Sequence, residues 1–255
     1  MIYQQKITRI GSFHLNHCED YVICTDIGDN RLLLAAMDGC SMGDDSYFAA
    51  TLCGRLLRKV SKGEFYEAYL QGTQSALDVQ LRRVIAKLFD ELVSAKDTLQ
   101  LERNELLTTL LIAIIDVDAR QGEVICIGDG VVCIDGELTE YDQDNQPDYL
   151  AYHLTEDFAR WYPTIKQKIS IGHFHDISLS TDGILSFVDA ADHAERELMS
   201  ERLFHYLLVD DTERGNENGF VKKLHRIKMD WNLIHTDDLG IIRVTFKSLF
   251  EDFAN

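Results

Sequence analysis

Two apolar runs, Tyr21 to Asp26 and Arg31 to Met37, flank the turn residues "GDN", and this pattern predicts a β-hairpin. The second run, within "LLLAAMDG", is apolar throughout, as expected of a buried strand, and it ends on Asp38-Gly39. From Ser46 the period changes to that of a helix. Between Leu77 and Leu92 the residues Leu77, Leu81, Val84, Leu88 and Leu92 recur at spacings of four, three, four and four, the stripe of an amphipathic helix facing a core. Short β-rich runs follow, "LLTTLLIAIIDV", "EVICIGD", "VVCIDG" and "ELTEY", punctuated by Gly and Asp as in an antiparallel meander. "HDISLSTDG" predicts another strand ending in Asp-Gly, and "TDDLGIIRVTF" closes the pattern. Glu195 to Trp231 reads as helical on both sides of "DDTERGNENG", whose composition is that of a mobile surface loop. Strands, helices, strands, helices and a last strand predict an α+β fold of antiparallel sheet packed against helices. With two prolines and no repeat or low-complexity tract, residues 1–255 read as one domain.

Charge narrows the function. The chain carries 43 acidic against 25 basic residues, a net charge of −18, which repels nucleic-acid backbones and anionic lipid. No run approaches the ~20 apolar residues of a membrane helix, and "MIYQQKITRIGSFH" lacks a signal peptide's apolar centre, so the expected location is cytoplasmic. Cys18, Cys24, Cys40, Cys53, Cys126 and Cys133 show no C-x-x-C spacing and read mostly as small core residues rather than metal ligands or disulfides.

Four segments place aspartate at a strand boundary: "HCEDYVICTD", "AAMDGCSMG", "LSTDGILSF" and "HTDDLGIIRV". Any one Asp-Gly can be a solvated turn. Four together point to a shared site, because hard divalent cations prefer clustered carboxylate, carbonyl and water oxygens.

In these segments the sequence resembles the metal-dependent protein phosphatases of the type 2C family, in order and over nearly the whole chain. Glu19-Asp20 looks like the family's early acidic motif, Asp38-Gly39 like its Asp-Gly-x-Gly motif and Gly128-Asp129 like its Gly-Asp-Ser motif. Ser180-Thr181-Asp182-Gly183 is present intact, and Asp237-Asp238 looks like the C-terminal Asp-Asn motif. "GSFHLNHCEDY" is similar to a bacterial branch with Ser-x-His before Cys-x-Asp.

The resemblance implies an antiparallel β-sandwich flanked by helices in four α-β-β-α layers, with two Mg²⁺ or Mn²⁺ ions at one end. Asp38 would bridge the ions, Asp182 and Asp237 would complete one, and Asp20 or Glu19 with the Gly39 carbonyl would serve the other. Asp129 would belong to a weaker third site. The expected reaction is direct attack of a metal-activated water on a phosphoserine or phosphothreonine of a protein substrate. Alternatives are a weak or inactive relative that binds a phosphoprotein, and a phosphatase for a small metabolite.

Three positions depart from the family pattern. Cys40 stands where many members have a histidine, Gly130 follows Asp129 in place of serine, and Ser186 stands where a further acid often follows the Ser-Thr-Asp-Gly motif. His14 is close enough to the acidic motif to donate a proton or bind phosphate, and equally reads as a surface or core histidine. His173 and His175, flanking Phe174, read as a chance alternation rather than a metal pair. Arg9 reads as a surface residue. Asp44 and Asp45 read as acids favouring the start of the following helix.

Overall fold

A computed structural model of the protein describes residues 2–43, 45–143, 147–191 and 197–246. One antiparallel five-stranded sheet has the order β1 (Ile2–Arg9), β12 (Leu239–Phe246), β9 (Asp176–Ser180), β6 (Gly130–Ile134) and β7 (Glu137–Tyr141). The other has the order β2 (Tyr21–Gly28), β3 (Arg31–Met37), β4 (Leu110–Asp116), β5 (Gln121–Ile127) and β8 (Lys168–Ile171). A ribbon of β10 (Phe187–Asp189) and β11 (Leu233–His235) stands beside them. The expected hairpin forms, with Tyr21 opposite Met37.

The helices are α1 (Ser46–Gln71), α2 (Leu77–Leu99), the single turn α3 (Phe158–Trp161), α4 (Glu197–Phe204) and α5 (Gly219–Trp231). Layering follows from the faces of β3. Leu32, Leu34 and Ala36 join Val132, Leu179, Ile242 and Val244 between the sheets, whereas Leu33, Ala35 and Met37 pack with Leu57, Leu81, Val84 and Leu88 of α1 and α2. Burial on both faces is why this run shows no alternation. On the opposite side, Val131, Leu239 and Ile241 pack with Leu207, Phe220 and Ile227. The result is the expected four layers. The predicted α2 stripe faces the core, with Leu81, Val84, Leu88 and Leu92 buried.

Two expectations need correction. The meander does not stay in one sheet: β5 and β6 belong to different sheets, and the chain crosses at Gly128-Asp129. Gly128 has φ +92°, a left-handed conformation open to glycine, and a Cβ there would lie 2.8 Å from Thr109 Cγ2. Strands apolar on both faces carry no local sign of which sheet they join. The loop after α4 is also tied into the fold rather than loose. The Gln5 amide donates to the carbonyls of Glu213 and Asn216, both at 2.8 Å, and Glu213 is itself buried.

The six cysteines are all free thiols, with Cys40, Cys53, Cys126 and Cys133 buried and Cys18 and Cys24 half-buried. Among the described residues, no helix is long and apolar enough to cross a membrane.

Candidate metal centre

Asp38 is the first residue beyond β3, and two threonines before β4 hold its backbone. Its N–H donates to Thr109 Oγ1 at 3.1 Å, while its carbonyl accepts from Thr108 Oγ1 at 2.8 Å and Thr109 N at 2.9 Å. The following N–H, of Gly39, donates to the Glu19 carbonyl at 3.2 Å. A Cβ on Gly39 would sit 2.1 Å from the Ser46 carbonyl oxygen, so only glycine lets the start of α1 come this close. The Thr108-Thr109 pair was not singled out in the sequence; two hydroxyl residues opening an otherwise apolar strand were its only signal.

Thr181 joins three distant segments. Its hydroxyl donates to Asp20 Oδ2 at 2.6 Å and accepts from Gly240 N at 2.9 Å, and its own N–H donates to the Gly240 carbonyl at 3.0 Å. Asp182 then opens a short 3₁₀ turn. A Cβ on Gly183 would lie 1.6 Å from the Asp238 carbonyl oxygen, which accounts for glycine in this motif. Ser186 Oγ donates to the Gly183 carbonyl at 2.8 Å and accepts from Asp237 N at 3.1 Å, fastening the Asp182 turn to the Asp237 loop.

These contacts collect negative charge. Burial pushes the Asp20 carboxyl well above the usual range, with the Thr181 hydrogen bond opposing and Asp182 adding to the shift. Asp38 is also pushed well up, by burial first and then by Asp20, Asp182 and Asp237. Asp182 is raised to about 6 by burial, Asp237 and Asp129. Asp129, half-buried at the sheet crossing, thus lies within electrostatic reach of Asp182. No lysine or arginine stands among these causes. Asp20 Oδ1 is buried and meets no hydrogen-bond donor. Buried carboxylates without counter-charge are costly, and the unmet oxygen with its acidic neighbours fits a hard divalent cation.

Glu19 and Asp20, alternatives on sequence, face different surroundings. Asp20 belongs to the buried acidic group, while Glu19 accepts from the hydroxyls of Ser41, at 2.8 Å, and Ser46. Ligand atoms of Glu19, His14 and Asp238 lie within 4.8 Å of one another at the mouth of the site. His14 Nδ1 is 3.0 Å from Asp238 Oδ2, and Nε2 is 3.4 Å from Asp237 Oδ1. Burial lowers its pKa, but the hydrogen bond and charge of Asp238 outweigh this, with Glu19 and Asp237 assisting, and the net shift is upward.

Asp238 proves to be a fastening residue. Its side chain is 1 % exposed and accepts from Gly11 N at 2.7 Å and from Glu19 N. Sequence reading placed it in a motif without seeing this role.

Other positions lie apart. Cys40 is buried in the core beneath α1, and burial together with a hydrogen bond to Cys40 pushes the Tyr149 hydroxyl up. Asp45 occupies the N-cap position of α1 without a side-chain capping bond, and Asp44 lies outside the described residues. His173 and His175 are exposed with ring centroids 4.9 Å apart, on the turn before β9, and Arg9 is exposed at the end of β1.

A family model described as protein phosphatase 2C matches residues 13–224. No curated protein matches the sequence. Among solved structures, a substituted form of a bacterial serine phosphatase aligns with TM-score 0.64 at 14% identity, over 97% of this chain and 99% of that one. The PP2C phosphatase domain of SpoIIE from Bacillus subtilis, with a fragment of its regulatory domain, aligns with TM-score 0.57 at 14% identity; this chain is covered over 96% and spans 63% of that one. RsbX in complex with magnesium aligns with TM-score 0.54 at 13% identity, over 96% of each chain. With most of its length matched by the family model and a fold that its structural neighbours share, the chain belongs to the protein phosphatase 2C family.

Proposed function

We propose that the protein is a metal-dependent phosphatase acting on phosphoserine or phosphothreonine in proteins. The observation that carries this reading is the buried acidic group of Asp20, Asp38 and Asp182, raised by burial and mutual repulsion, with one buried Asp20 oxygen left unmet. Asp38, Asp182, Asp237 and Asp20 or Glu19, with the Gly39 carbonyl, would hold two Mg²⁺ or Mn²⁺ ions, and Asp129, within electrostatic reach of Asp182, would serve a weaker third. Such ions, when bound, would supply a water acidic enough to ionise near neutral pH and would offset the phosphate's charge.

The chain's own residues do the positioning. Thr108 and Thr109 fix the Asp38 backbone, Thr181 orients Asp20, and Ser186 holds the Asp182 and Asp237 segments together. His14, held between Asp237 and Asp238, is the imidazole able to give a proton to the departing oxygen. Cys40, buried against Tyr149, is not placed to replace it.

The test is hydrolysis of p-nitrophenyl phosphate and a phosphothreonine peptide with Mn²⁺, Mg²⁺ and chelator, in wild type and Asp38→Asn. Metal-dependent turnover lost in the variant is expected. Peptide binding without turnover under any metal would instead identify a non-catalytic relative.

A further inference from the structure

The mouth of the site opens into a groove of about 510 Å³ between Phe13–His17 and the start of α1, with His14 and Glu19 at its inner end. Its rim is unusually apolar. Leu15 is 90 % exposed, Phe13 is 66 % exposed, and Met42, next to the groove-lining Ser41, is 83 % exposed. Tyr47 forms part of the wall, its ring 4.4 Å from that of His17. Single exposed apolar residues are ordinary, but several around one cleft mark a surface that is covered in use.

Resting on the phosphatase reading, we propose that this groove seats the polypeptide flanking the phosphorylated residue and selects an apolar side chain beside it. Three features fix the occupant. The groove shares His14 and Glu19 with the cluster that also holds Asp238 at the mouth of the carboxylate site, so it offers a path for a chain whose phosphate is in the site. Among the described residues the groove is lined by the acids Glu19 and Asp45 and by no lysine or arginine, which disfavours acidic neighbours relative to neutral or basic ones. A small phosphorylated metabolite would leave Leu15, Phe13 and Met42 in water, whereas a peptide with a leucine next to its phosphoresidue covers them.

The experiment measures binding, so it does not depend on turnover. Fluorescent peptides carrying a non-hydrolysable phosphonate in place of phosphothreonine, with Leu, Ser or Glu on either side, are titrated by anisotropy in Mn²⁺. Burying one leucine corresponds to about tenfold in affinity, so the Leu peptide is expected to bind about tenfold tighter than the Ser peptide. The Glu peptide is expected to bind weaker still. Leu15→Ser and Met42→Ser should each remove most of the leucine advantage. Leu70→Ser, which removes an 82 % exposed leucine at the far end of α1, should leave it intact. Two rim variants guard against one misfolding.

Equal or undetectable binding of the Leu and Ser peptides, or an advantage that survives both rim substitutions, overturns the proposal. So does a concentration-dependent dimer abolished by Leu15→Ser, which would assign the patch to a second copy of the chain. If the preference is found but true phosphopeptides are not hydrolysed, the phosphatase reading fails and the groove stands. Hydrolysis without the preference gives the reverse.

Discussion

β9 and β12 bury charge at both ends of one strand pair, and they treat it in opposite ways. Where Asp176 lies opposite Thr245, Arg243 is 1 % exposed and donates from Nε to both Asp176 oxygens, at 3.1 and 3.0 Å. Its remaining donors reach the carbonyls of Asp210 and Val209 and the Asp211 carboxylate. Five residues along, roughly 17 Å at strand spacing, Thr181 hydrogen-bonds Asp20 beside Asp38 and Asp182, and no lysine or arginine stands among the groups that shift these three acids. A buried guanidinium held by a carboxylate and two backbone carbonyls is an internal fastener. Buried acids left to repel one another make sense only if something that binds them is worth the instability.

The largest expected effect comes from breaking the fastened end. Arg243→Leu strands Asp176 and two carbonyls, and should lower unfolding stability by about 3–5 kcal/mol in urea titrations. Arg243→Lys should recover only part, because an ammonium lacks the planar fork.

At the other end stability and activity should part. Asp38→Asn is expected to lower kcat/KM by about 100-fold, roughly 2.7 kcal/mol, while raising the melting temperature of the metal-free protein by relieving repulsion. A lower metal-free melting temperature in Asp38→Asn would break the comparison.

The acidic end should also govern pH dependence without metal. Asp182 has a folded pKa of about 6 against an ordinary 3.8, so the native state binds its proton more tightly than the unfolded chain. The stability this contributes is full below the unfolded value and is lost as pH rises through about 6; Asp20 and Asp38 shift in the same direction. Metal-free protein should therefore melt a few degrees higher at pH 5 than at pH 7.5, at about 2–4 °C per kcal/mol for this size. Saturating Mn²⁺ should erase the difference. Equal melting temperatures at both pH values in chelator would count against an unpaired acidic cluster.

The smallest effect is expected on the surface. Lys59 and Glu91 meet at 2.6 Å, but Lys59 is 66 % exposed, and Lys59→Ala should change stability by no more than about 0.5 kcal/mol. A cost comparable to that of Arg243→Leu would mean that pairing, not burial, sets the value of these charges.

Much of this was readable in the chain. The uninterrupted apolar run ending at Asp38, the intact Ser180–Gly183 motif and the α2 stripe are local patterns, and each element formed where its pattern lay. The division of labour among neighbouring acids was not readable. Glu19 and Asp20 are adjacent, yet one turns to the hydroxyls of Ser41 and Ser46 and the other to Thr181, 161 residues away. Asp237 and Asp238 divide in the same way, the second buried against Gly11 across 227 residues.

Side-chain periodicity follows from backbone geometry within a few residues, so the sequence by itself determined which segments became strands and helices and which carboxylates lay at strand ends. Which acids met one another, which were satisfied by hydroxyls and N–H groups, and at which glycine the chain crossed between sheets depended on close approaches between segments far apart in sequence. Desolvation and charge repulsion arise only once those segments are packed, so the chemistry of the site was decided by the tertiary structure.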